Sequence, residues 1–130
     1  MAEILLDSDV IIAWLRGHDP FAEHIPALIE GGNGLSWTPV SVAEIYAGVR
    51  KREEGQIENL FLVLETLPLS AEIGRKAGGY LQAYSKSHGV ELGDALIAAT
   101  AFFHGMPLWT LNKKHYPMRD IRFYSPTASQ

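Results

Sequence analysis

Short apolar runs of β character alternate with helical patterns along this whole sequence, and no other feature constrains its fold as tightly. Residues 3–6 are apolar beyond Glu3, and Ser8 can cap a helix that reaches about Leu15 and stops at Gly17. Asp19-Pro20 supplies a cap and a first-turn proline for a second helix, which Gly31-Gly32 closes. Residues 35–38 read as a strand. Ser41 then opens a helix whose Val42, Ile45, Tyr46 and Val49 follow the 3.6-residue period. A further helix is expected over 56–65, with Ile57, Leu60, Phe61 and Leu64 on one face. Residues 67–69 are a third strand candidate, and Ser70 caps a long helix carrying Ile73, Ala77, Leu81 and Tyr84. The Gly78-Gly79 pair inside that helix suggests a bend or close packing. Residues 92–104 make the most apolar helix, ending at Gly105, and 107–111 and 121–124 are the fourth and fifth strands.

Strands separated by helices require right-handed crossovers, and hence a mainly parallel sheet covered on both faces. The expected fold is therefore α/β: one three-layer α/β/α domain over residues 1–130, with a sheet of about five strands. A chain of 130 residues suits one such domain with its own core. It has no cysteine, which excludes disulfide frameworks, thiolate zinc sites and cysteine nucleophiles. The start carries Glu3 and lacks the basic and long apolar regions of a signal peptide. The longest chargeless run, 95–112, is interrupted by His104, Gly105 and Pro107 and is a poor membrane span. Cytoplasmic residence is the expectation.

In sheets of this kind ligands sit beyond the carboxyl ends of the strands. The polar residues at those junctions are acidic. Asp7 follows Ile4-Leu5-Leu6 directly, and Asp9 falls in the first turn of the next helix. Both positions also suit the helix macrodipole. Glu44 has its own local explanation, since Ser41-Val42-Ala43-Glu44 fits a capping box, yet its helix too begins just after a strand. Asp94 is the sole charge between Glu91 and Lys113, at the start of an otherwise apolar helix. An unpaired buried carboxylate there would be costly unless a cation or basic partner met it. Carboxylates converging from separate strand ends repel and raise one another's pKa, a conflict that a divalent cation resolves. All-oxygen ligands without cysteine favour Mg²⁺, with Mn²⁺ a second choice, over zinc. Mg²⁺ commonly binds a few carboxylates together with water and phosphate, which points to phosphate-ester chemistry.

Four motifs in register carry a family resemblance: Leu-Leu-Asp7-Ser-Asp9-Val-Ile-Ile, Ser41-Val-Ala-Glu44-Ile-Tyr-Ala-Gly, Gly93-Asp94-Ala-Leu-Ile-Ala-Ala and Leu-Trp-Thr110-Leu-Asn112-Lys-Lys-His115-Tyr. Together they resemble the PIN domain, and more narrowly the VapC-type toxin ribonucleases of toxin–antitoxin pairs. The resemblance implies a Mg²⁺- or Mn²⁺-dependent endoribonuclease whose metal-binding acids are Asp7, Glu44 and Asp94. Asn112 joins these acids as a candidate catalytic residue, while Thr110 and Asp9 support the site. The family commonly places an acid at position 112 or 115, whereas this chain has Asn112 and His115. One metal is therefore a firmer expectation than two, and His115 is left to contact phosphate or lie on the surface. The resemblance further implies RNA as substrate, a small VapB-type antitoxin covering the site, a homodimer, and no membrane association. Lys113, Lys114 and Arg50 are candidate contacts to RNA phosphates. Apolar helices over 10–15 and 57–64 are candidate contact faces.

Two other readings stay open on the residues. Asp7-Ser8-Asp9 also fits the opening motif of a haloacid-dehalogenase-like phosphatase, with Asp7 as nucleophile, although Asp94 is followed by Ala95-Leu96-Ile97-Ala98 rather than by a paired acid. A catalytically degenerate PIN-like module that binds RNA or protein is the other, supported by His115. The net charge of −4 argues against nucleic acid only at first sight. With Asp7, Asp9, Glu44 and Asp94 set aside as a cation-binding group, the remaining acids equal Lys plus Arg at 11.

Overall fold

The central strand shows in three residues how this fold is layered. Along β1 (Glu3–Leu6) side chains alternate across the sheet, so Ile4 and Leu6 enter one apolar cluster and Leu5 enters the other. The computed structural model describes residues 1–126, so the last four residues of the expected domain lie outside the described residues. β1 pairs in parallel with β2 (Gly34–Trp37) on one side and β4 (Leu108–Trp109) on the other. β2 in turn pairs in parallel with β3 (Glu65–Thr66), giving the order β3-β2-β1-β4. The register runs through Ile4 against Leu35 and Leu5 against Leu108.

Among the described residues six α-helices cover the two faces: α1 (Ser8–Leu15), α2 (Phe21–Glu30), α3 (Pro39–Gly48), α4 (Glu54–Val63), α5 (Ala71–His88) and α6 (Leu92–His104). Val10, Ile11, Ile25, Ile45, Ile57 and Leu60 bring the first four helices onto the Ile4 and Leu6 face, around a fully buried Trp37. Ile73, Ala77, Ala95, Ala98 and Ala101 bring α5 and α6 onto the other face. The small residues of α6 let it lie close to the sheet and to α5. The result is the expected three-layer α/β/α arrangement, and no helix among the described residues is long and apolar enough to cross a membrane.

Several local expectations are corrected. The fifth strand reduces to a single parallel bridge, Leu108 to Phe123, beside β4. β3 lies at 65–66 rather than 67–69, because the edge is set by pairing with Ser36 and Trp37; Leu67 follows it into the core. β4 spans only Leu108–Trp109 of the expected 107–111, and α4 starts and ends two residues earlier than 56–65. Pro20, not Asp19, stands at the N-cap of α2. A Cβ at Gly78 or Gly79 would meet nothing within 4 Å, so no close packing explains that pair, and α5 runs unbroken through it. Of the apolar faces proposed for contacts, Val10, Ile11, Ile57 and Leu60 are core, whereas Phe61, Leu62 and Val63 stay exposed.

Candidate metal centre

Because the strands are parallel, the residues that follow β1, β2 and β4 emerge at one edge of the sheet. Asp7 leaves β1 with its backbone N–H donating to the Trp109 carbonyl at 2.9 Å, which ties the β1 end to the β4 end. It is also the N-cap of α1, with Oδ1 accepting from the Ser8 N–H at 2.8 Å. The cap expected of Ser8 is therefore made by Asp7. The other carboxylate oxygen, Oδ2, accepts from the Thr110 hydroxyl at 2.8 Å and from the Tyr116 phenol at 2.9 Å. Asp7, Thr110 and Tyr116 are all buried.

Ser8, at the first position of α1, donates its hydroxyl to Glu44 Oε1 at 2.6 Å, and its Oγ lies 2.9 Å from that of Ser41. The capping box expected at Ser41 is absent for a related reason. α3 begins two residues earlier, at Pro39, with Thr38 as its N-cap accepting from the Ser41 N–H at 3.3 Å. Proline is favoured at that first position because its missing N–H would have no partner there. Glu44 thus points to Ser8 rather than to its own helix end. Its second oxygen lies against Gly93, where an added Cβ would stand 3.4 Å away. That close approach puts Glu44 beside the first turn of α6, which carries Asp94.

Asp94 is partly buried, and its Oδ2 lies 3.5 Å from the Glu91 N–H, at the outer limit of a hydrogen bond. Burial raises its carboxyl above the ordinary value and Asp7 adds to this, against opposing contributions from the Glu91 N–H and from His115. Asp9 is shifted the same way, first by burial and then by Asp7. Its Oδ2 is held by the Leu111 N–H at 3.2 Å and the Asn112 amide at 2.9 Å, while its Oδ1 is buried with no hydrogen-bond partner. Burial also drives the Tyr116 phenol far upward, with the Asp7 charge contributing, so it stays a donor.

Thus Asp7, Asp9, Asp94, Thr110, Asn112 and Tyr116 are linked by hydrogen bonds or mutual electrostatics, and Glu44 joins through Ser8 and Gly93. Lys113, Lys114 and His115 form an exposed single turn just beyond Asn112, on the rim. Arg50 does not belong to this cluster; it lies past the end of α3, at the cap of the next short turn. Ser8 and Ser41, expected as helix caps, serve the site instead, and Tyr116 is a positioning residue that sequence reasoning did not single out. Hydroxyls carry no periodic signal, and only the assembled strand ends bring Ser8 to Glu44 and Tyr116 to Asp7.

Among the described residues no group of three or more His, Cys, Asp and Glu side chains forms a ready metal cage. Mg²⁺ does not require one, because it keeps several waters and takes one or two carboxylates with substrate phosphate. The donors here are all oxygens, one buried carboxylate oxygen of Asp9 is unspent, and among the described residues none of the four acids forms a salt bridge, His115 acting on Asp94 without one. These residues fit a hard divalent cation.

An acid-lined carboxyl edge on a short parallel sheet, sandwiched by helices, is the setting in which comparison with known proteins is informative. The family model for the PIN domain matches residues 4–121, and the chain belongs to that family. Ribonuclease VapC10 of Mycobacterium tuberculosis is 39% identical over 116 residues, covering 88% of this chain and 86% of that protein. Ribonuclease VapC19 of the same organism is 32% identical over 115 residues, covering 88% and 92%. Among solved structures, DNA-bound VapBC from Salmonella typhimurium superposes with a TM-score of 0.77 at 21% identity, covering 95% of this chain and 98% of that one. VapBC-1 from nontypeable Haemophilus influenzae gives 0.77 at 20% identity, covering 96% and 98%. Membership of the PIN family displaces the haloacid-dehalogenase-like alternative.

Proposed function

We propose that this protein is a VapC-type endoribonuclease toxin, hydrolysing RNA phosphodiester bonds with a divalent cation and neutralised by a small VapB-type antitoxin. The observation that carries the reading is the convergence of Asp7, Asp9, Glu44 and Asp94 at one edge of the sheet, none of them in a salt bridge among the described residues. The ribonuclease names of its relatives and their VapBC structural neighbours support it.

Asp7, Glu44 and Asp94 would hold Mg²⁺ or Mn²⁺, one or two of them directly and the rest through its waters, with Asp9 and Asn112 at the margin. When bound, the ion lowers the pKa of a water and neutralises charge developing on the phosphate. Asp94 or Glu44 would accept the proton of the attacking water. Thr110 and Asn112 fix Asp7 and Asp9 in place, and Lys113 and Lys114 on the exposed turn would meet RNA phosphates. Phe61, Leu62 and Val63 leave exposed apolar side chains at the end of α4, suited to a protein partner, the antitoxin or a second copy in a homodimer.

Expression of the chain alone, followed by sequencing of cellular RNA ends, tests this reading beside an Asp94→Asn control. New RNA ends should depend on Asp94 and vanish on co-expression of the antitoxin. In vitro, cleavage should require Mg²⁺ or Mn²⁺ and stop in EDTA. RNA binding without cleavage by the unaltered chain in either metal would refute the enzyme and favour a degenerate binding module.

A further inference from the structure

Resting on that reading of the acid cluster, we propose that Tyr116 is a positioning residue whose phenol, together with Thr110, occupies one oxygen of Asp7 so that only the other can take the cation. A carboxylate offers about four lone-pair sites, two on each oxygen. Oδ2 of Asp7 spends both of its sites, on Thr110 Oγ1 at 2.8 Å and on the Tyr116 hydroxyl at 2.9 Å. Oδ1 spends one on the Ser8 N–H at 2.8 Å. One site is left on the whole carboxylate, and it belongs to Oδ1. With both donors in place, Asp7 can ligate through one oxygen only, and its plane is fixed before any ion arrives.

The hydroxyl is what matters in Tyr116. Its ring packs in the α5–α6 cluster with Met118 and Leu108, work that a phenylalanine would do equally well. The residue is 3% exposed, so an unpaired hydroxyl there would be costly, and its one side-chain hydrogen bond goes to Asp7 across 109 positions of sequence. The backbone prepares that reach: the Tyr116 N–H donates to the Lys113 carbonyl at 2.9 Å, closing the turn that follows Asn112. Groups that orient a ligand in this way are worth a substantial part of the affinity for the metal.

The test is Mn²⁺ binding to the metal-free full chain, followed through the free-ion EPR signal at a temperature well below unfolding. The unaltered protein, Tyr116→Phe, Thr110→Val and Asp7→Asn are compared, each with a thermal melt in EDTA. Tyr116→Phe should weaken Mn²⁺ binding by about 10–100-fold while still melting cooperatively, and Asp7→Asn should weaken it further. Thr110→Val removes the other donor to the same oxygen and carries the same expectation, so the question stays answerable if Tyr116→Phe does not fold. A purely structural role would shift the melt and leave the Mn²⁺ affinity alone. Unchanged or tighter binding in Tyr116→Phe, with Asp7→Asn impaired, would overturn the positioning role and leave the metal centre standing. Unchanged binding in Asp7→Asn would instead overturn Asp7 as a cation ligand, and the inference with it.

Discussion

Replacing Asp9 by asparagine should make the metal-free protein more stable. The carboxylates of Asp7 and Asp9 both reach Thr110 Oγ1, at 2.8 and 3.4 Å. Those oxygens therefore lie within about 6 Å of each other, where two unit charges repel by nearly 3 kcal/mol at an effective dielectric of about 20. Asp9 is only partly buried, and solvent screening reduces this to about 1–2 kcal/mol. Asparagine keeps a carbonyl oxygen for the Leu111 N–H and the Asn112 amide, and loss of charge in those bonds returns about 0.5 kcal/mol. The net gain is about 1 kcal/mol, which for a domain of this size is a rise of about 3–5 °C in Tm. The assay is a thermal melt in EDTA at pH 7. The gain must also depend on pH. Burial and Asp7 raise the folded-state pKa of Asp9 above its unfolded value. The folded state consequently holds the proton longer, and the wild-type handicap is complete only above the raised pKa. It fades as pH falls through that value and is gone below about 3.9, the unfolded pKa. Mn²⁺ should narrow the gap, because at 100 times the wild-type Kd it adds about 2.7 kcal/mol to wild type, while the variant, short of one carboxylate at the margin of the site, gains less. A variant melting below wild type in EDTA at pH 7 would refute the reasoning, since it would mean that Asp9 is stabilised by its surroundings as an anion.

Gly93→Ala should separate activity from stability. The new Cβ would stand 3.3 Å from Val40 Cγ1 and 3.4 Å from Glu44 Oε2, while alanine in a helix gains up to about 1 kcal/mol over glycine. The melt should hold or rise and RNA cleavage should fall; unimpaired cleavage would show that Glu44 tolerates displacement. Ser8→Ala removes the 2.6 Å donor to Glu44. Because Glu44 is exposed and water can replace the bond, the stability cost should stay within about 1 kcal/mol. Cleavage should nevertheless drop about 10-fold, as a steady-state assay at fixed Mg²⁺ would record.

The layers of this fold were legible where burial imposes a pattern. β1, α1 and α6 carry runs of apolar side chains that only a covered sheet can use, and their bounds differ little from expectation. The edges were not legible, because pairing rather than composition defines them. β3 is two exposed residues, Glu65 and Thr66, recruited by the backbone of Ser36 and Trp37 and by the Trp37 indole N–H donating to Thr66 at 2.7 Å. Asp7, Asp9 and Asp94 could be read as a set, since each stands where a strand or loop feeds a helix, whereas Glu44 lies in the second turn of α3. Their partners could not. Thr110 and Asp7 are 103 residues apart and Tyr116 and Asp7 are 109 apart, distances over which a hydroxyl gives no sequence signal. The helix-start logic at Ser8 and Ser41 failed for one shared reason: Asp7 and Thr38, one residue or more upstream, had already taken the caps.

That displacement changes where Ser8 stands, not whether it can donate. A capping hydroxyl accepts from backbone and keeps its own proton, but with Asp7 at the N-cap Ser8 occupies the first helical position, from which its hydroxyl reaches Glu44. The acids are held by hydroxyl, amide and phenol groups: Glu44 by Ser8, Asp7 by Thr110 and Tyr116, Asp9 by Asn112. Neutral donors fix a carboxylate in space without cancelling its charge, whereas an arginine or lysine would do both. The two salt bridges among the described residues, Arg16 with Glu53 and Lys76 with Asp120, involve none of these acids. The acidic excess of the chain is thereby concentrated at one edge of the sheet and kept uncompensated. A divalent cation gains most from such an arrangement, because the repulsion that weakens the metal-free protein is the same charge that binds the ion.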